Sequence, residues 1–73
     1  MIYLVVEGWI HPIGGGDNIH FVRGFIVPRH KTIEEFKEWF ITHKMKGCAV
    51  KDDFDVLEVS KSKWEESFHL NPN

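Results

Sequence analysis

The sequence is poor in the features that announce chemistry. It has a single cysteine, Cys48, so no disulfide can form within the chain, and a reduced, cytoplasmic setting is expected. Its apolar run Ile2–Val6 ends at Glu7, far short of a bilayer span, and no basic segment precedes it as in a secretion signal. Charge of one sign is missing too. Nine Lys+Arg against eleven Asp+Glu leave a formal charge of −2. That balance excludes whole-chain attraction to nucleic acid and the strong acidity of a DNA mimic. Seventy-three residues exclude a multi-domain enzyme, a dinucleotide-binding unit joined to a substrate domain, and a repeat array.

What is present is apolar and aromatic. Hydrophobic residues make up 42% of the chain and aromatic ones 14%, enough for one folded domain over residues 1–73. Ile2–Ile10 and Ile19–Val27 are β-branched and aromatic and predict two strands. Between them, Pro12 and the glycines Gly14, Gly15 and Gly16 predict the loop of a hairpin, and Pro28 stops the second strand. Thr32 and Glu35 have capping-box spacing, and Ile33, Phe36, Trp39, Phe40 and Met45 follow helical periodicity. Gly47 is expected at the C′ position of that helix. Phe54–Ser60 predicts a third strand. Ser62 and Glu65 then suggest a second capping box for a short terminal helix running to Pro72, with Trp64 and Phe68 on one side. The predicted fold is α+β: a β-β-α-β antiparallel sheet, one main helix packed on it, and a short C-terminal helix.

Both faces of the first two strands are apolar. Ile2, Leu4 and Val6 point one way, and Tyr3, Val5 and Trp9 the other. Phe21 and Phe25 oppose Val22 and Ile26 in the same manner. One main helix covers one face. The second face calls for the terminal helix, a second subunit or a partner.

The catalytic and metal motifs stay incomplete. Gly14–Gly15–Gly16–Asp17 has no following Lys-Ser/Thr pair and leads into a strand, so a hairpin tip is expected rather than a phosphate loop. Of five histidines (His11, His20, His30, His43, His69), the nearest metal candidates are His11 with His20 and His43 with Cys48, and neither has a second pair of ligands. Asp17 with His11 or His20 is an acid–base combination of a kind any polar loop contains, and Cys48 lacks any sequence sign of thiolate activation. The expected chain is non-enzymatic and needs neither cofactor nor metal. Asp52, Asp53, Asp55, Glu58, Glu65 and Glu66 form an acidic set suited to a solvated face or to docking on a basic surface.

Two resemblances bear on function. Arg23-Gly24-Phe25 is similar to the opening of the RNA-recognition-motif signature, on a strand that follows a hairpin and precedes a helix and strand. It departs from that signature at Ile26, Val27 and Pro28, and the family's first β-α unit is missing. The resemblance implies nucleic-acid binding with Phe25 as the base-stacking residue, and the basic cluster of Arg23, Arg29 and Lys31 is suited to phosphate contacts. More broadly, the chain resembles small phage-encoded proteins that inhibit host or defence proteins, antitoxins among them. The likeness lies in the strand entry Val6-Glu7-Gly8-Trp9, the element order, the many aromatics and the lack of a cofactor motif. It implies a protein-binding module that occludes its target. The expected contact residues are Trp9, His11, Ile13, Gly14, Gly15, Gly16, Asp17, Asn18 and Trp64, with Tyr3 as a further aromatic candidate. A homodimer with a structural role is the third alternative.

Overall fold

The computed structural model describes residues 1–68, so His69 and the expected stop at Pro72 lie outside the described residues. Five elements follow in order: β1 (Ile2–Ile10), β2 (Ile19–Val27), α1 (Ile33–Lys44), β3 (Phe54–Val59) and α2 (Lys61–Phe68). The strands form one antiparallel sheet in the order β2-β1-β3, giving a small α+β fold. No helix among the described residues is long and apolar enough to cross a membrane.

Strand composition explains the order. β1 is the most continuously apolar strand and takes the centre, between neighbours on both sides. β2 carries Arg23, and β3 carries Asp55 and Glu58. Charges of this kind suit the two edges, where unpaired backbone would otherwise invite other strands. Pairing of Ile10 with Ile19 at one end and Ile2 with Val27 at the other fixes the hairpin register.

α1 covers the inner sheet face. Leu4, Val6 and Phe21 meet Phe36 and Phe40 there, joined by Met45 and Cys48. Phe40 sits at the middle, with ring centroids 6.0 Å from Phe21, 5.7 Å from Phe25 and 4.8 Å from Phe54. Trp39 departs from the core position expected of it. It lies at the rim, 40% exposed, because helical spacing turns it past the sheet edge towards Phe25 and His43.

At the start of α1, the Thr32 hydroxyl accepts from the Glu35 N–H at 3.1 Å, and the Glu35 carboxylate accepts from the Thr32 N–H at 2.9 Å. The Thr32 backbone N–H, then its hydroxyl, hold the Glu35 carboxyl below its usual value. A depressed folded-state value means that this contribution is present above the unfolded carboxylate range and fades as the pH falls through it. Thr32→Ala should cost about 1 kcal/mol. In a domain of this size that lowers the thermal midpoint by roughly 4–8 °C, measurable by circular dichroism. An unchanged midpoint would show that the cap contributes nothing.

The ends of both helices differ from expectation. Met45, not Lys46, is the C-cap of α1, and its N–H reaches Phe40 O at 3.2 Å. Gly47 (φ +84°) therefore falls one residue beyond C′. For α2, Ser60 is the cap in place of Ser62. Its hydroxyl accepts from Lys63 N–H at 3.2 Å and its carbonyl from Trp64 N–H at 2.9 Å, so β3 ends at Val59 and Glu65 lies beyond the first-turn capping position. A strand that runs directly into a helix leaves its first serine as the nearest acceptor.

Candidate partner-binding surface

The outer sheet face is divided by α2. Trp64 donates its indole N–H to Leu4 O at 3.1 Å and packs on Tyr3, with ring centroids 5.8 Å apart. Trp64 and Phe68 lie directly over Gly24, where an added Cβ would fall within 2.9 Å of both rings. A glycine in mid-strand is thus the seat of the helix. Trp64, named in the sequence as a contact residue, is half-buried and holds α2 in place.

The hairpin end of the same face carries no helix. Trp9, His20, Glu7, Val22 and Asp55 share it by strand alternation and register, whereas Leu57 lies farther along β3, opposite Val5. Trp9 is 45% exposed and Leu57 63%. The Trp9 ring packs against His20 at 4.9 Å, and His20 Nε2 lies 2.9 Å from Glu7 Oε2. Trp9 is thereby held in place while its remaining surface stays in solvent.

The adjoining loop is anchored on one side and open on the other. His11 O accepts from Ala49 N–H at 2.7 Å, Pro12 bridges to Cys48, and His11 Nε2 pairs with the Asp53 carboxylate at 2.5 Å. Beyond these ties, Ile13 is 66% exposed and Asp17 and Asn18 are exposed. Gly14, Gly15 and Gly16 all have φ near +90 to +106°, a backbone region open to glycine and costly for other residues, so the run of three fixes the path of the loop. The fastening of its first half to Cys48, Ala49 and Asp53 had no signal in the sequence, since these residues come from the distant α1–β3 connection.

The other sequence candidates separate. Each loop-end histidine faces a carboxylate other than Asp17: His11 faces Asp53 and His20 faces Glu7. His43 Nδ1 meets Trp39 O at 2.9 Å, whereas Cys48 is buried in the core. Among the described residues no three His, Cys, Asp or Glu side chains converge as metal ligands. Phe25 packs edge-on against Phe36, Trp39 and Phe40 at 5.2–6.0 Å on the α1 side. Arg23 and Lys31 line separate cavities on that side, and Arg29 lies in the turn after β2. No protein family, curated protein or solved structure matches the chain.

Proposed function

We propose that the chain is a non-enzymatic protein-binding module of the cytoplasm that occludes a host or defence protein. Its contact surface is the helix-free half of the outer sheet face, with the His11–Asn18 loop. The observation that carries this reading is Trp9, braced by His20 yet 45% exposed, at the foot of the loop that carries the exposed Ile13. A rigid, half-exposed tryptophan supplies large contact area at little entropic cost, and such residues dominate interface energetics. The glycine-built loop adds a projecting edge suited to a cleft. Inhibition by occlusion follows from the resemblance to small phage-encoded inhibitors. The nucleic-acid alternative is less well supported, because Phe25 is engaged by Phe36, Trp39 and Phe40 of α1 in place of standing free for a base.

The test is capture from bacterial lysate with the tagged chain, before and after nuclease, alongside Trp9→Ser, Asp17→Lys and a variant lacking Gly14–Gly16. A protein retained after nuclease should be lost with Trp9→Ser, whose affinity should fall by about 30-fold, the cost of one hot-spot residue. The loop variants should also lose it, while all three keep the wild-type melting temperature. Equal capture by all variants would remove this surface from the site. Loss of every partner on nuclease treatment would transfer the function to nucleic-acid binding.

A further inference from the structure

β2 is an edge strand, and the α1 side of that edge is a groove. Two cavities open along it, of about 320 and 310 Å³, meeting at Phe25. The first is floored by Phe21, Phe40 and Met45, with Arg23 and Lys44 on its walls. The second is walled by Val27, Phe36 and Trp39, with Lys31 at its mouth beside Glu35, whose carboxylate is engaged by Thr32. The first cavity therefore joins an apolar floor to the positive charge of Arg23 and Lys44, and Phe25 divides it from the second.

Among the described residues, the backbone of the edge is open to pairing. In an antiparallel ladder, successive residues direct their N–H and C=O groups to opposite sides. The Arg23 guanidinium donates to Val22 O at 3.0 Å, which places that carbonyl on the side away from β1. By alternation His20, Gly24 and Ile26 turn their backbone groups the same way. Arg23 thus caps the free edge with its own side chain, and a carboxylate that draws the guanidinium away uncovers the Val22 carbonyl.

We propose that β2 receives an extended peptide from a partner protein as a fourth strand, recognised by the pattern apolar-x-acidic-x-apolar. The acidic residue lies opposite Arg23 and near Lys44 in the first cavity. Of the two apolar residues two positions away, the one opposite Phe21 meets the floor of that cavity and the one opposite Phe25 enters the second. Strand addition of this kind takes affinity from main-chain hydrogen bonds and specificity from alternate side-chain pockets. Charge selects the occupant. Arg23 is the midpoint of β2, so two copies paired in full register along this edge would set guanidinium against guanidinium. The same groove suits RNA poorly, since Phe25 is engaged by the rings of α1 and an unpaired strand edge matches a peptide backbone. This surface lies across the sheet from Trp9, so the proposal stands apart from the outer-face reading.

The probe is an end-blocked, fluorescein-labelled nonapeptide, Ser-Thr-Leu-Thr-Glu-Thr-Phe-Thr-Ser, titrated by fluorescence anisotropy against the whole chain. Binding is expected, with amide shifts in the nuclear magnetic resonance spectrum centred on Val22 and Gly24. R23E should weaken it by about tenfold or more, and a peptide with lysine in place of glutamate should regain that loss on R23E alone, the signature of a direct charge pair. N-methylation of the peptide amides that face β2 should abolish binding, whereas Trp9→Ser should leave it unchanged. No binding up to about 1 mM peptide, equal binding of the N-methylated form, or indifference to R23E would overturn the proposal. So would a uridine nonamer that binds the groove more tightly than the peptide, or self-association of the chain through β2.

Discussion

Gly8→Ala is expected to strip β3 from the sheet. Gly8 lies in β1 opposite Phe21 on one side and Phe54 on the other. A methyl group there would overlap the Asp53 carbonyl oxygen and come within 2.6 Å of Phe54 Cα. These neighbours are backbone, or fixed by it, and no rotamer change relieves the overlap. The Asp53 carbonyl also accepts from Trp9 N–H at 2.9 Å, so moving it aside breaks the first rung between β1 and β3. Overpacking against a fixed backbone costs about 1–3 kcal/mol or more, and loss of β3 uncovers Phe54 and Val56 as well. The readout is a two-dimensional amide spectrum. Loss of dispersion for residues 53–59, or global unfolding, is expected. A native spectrum with an unchanged melting temperature would mean that β1 and β3 do not approach as closely as described.

Phe40→Ala is expected to unfold most of the population at 37 °C. Phe40 is 3% exposed and the one ring that touches Phe21, Phe25 and Phe54, from both edge strands, as well as Phe36 of its own helix. Removing such a ring typically costs about 3–5 kcal/mol. A single core in a domain this small supplies a net stability of the same order. Urea titration followed by tryptophan fluorescence should show a transition with no native baseline. A variant that loses less than about 1 kcal/mol would show that the cavity collapses freely. Phe40→Leu, which retains most of the volume, should restore folding and separates packing from any chemical role of the ring.

Much of this architecture was legible in the sequence because its signals are local. The β-branched runs fixed both hairpin strands as Ile2–Ile10 and Ile19–Val27, and Thr32 with Glu35 marked the start of α1. Alternation correctly placed Phe21 and Phe25 on the face opposite Val22 and Ile26. What stayed hidden depends on residues distant in the chain. Nothing near Gly24 announces that Trp64 and Phe68 settle over it, and nothing near Gly8 announces Phe54. The Ser62–Glu65 spacing suggested a cap that Ser60 supplies, because the end of β3 decided which serine lay nearest the open amides. Trp39 fits the apolar stripe of α1 by spacing, but the narrow sheet ends before reaching it. The candidate surface was legible as residues and not as a place. Trp9 and the glycine loop stood out in the sequence, yet their separation from Trp64 follows from where α2 docks. Likewise Arg23 read as one of several cations until the strand order made it the guard of an edge.

The central position of β1 has a consequence for the order of assembly. β1 precedes both of its partners, and the hairpin with β2 closes over a short loop, a microsecond event. A two-stranded hairpin is marginal by itself. Its other edge, lined by the groups that later meet β3, stays bare until α1 and the long connection after it are in place. Topology therefore predicts that the distant pairing of β1 with β3 forms after the hairpin, and until it forms that edge of β1 is unpaired. A chain cut short before Phe54 is therefore expected to aggregate where the whole chain does not, measurable by light scattering of the two at equal concentration.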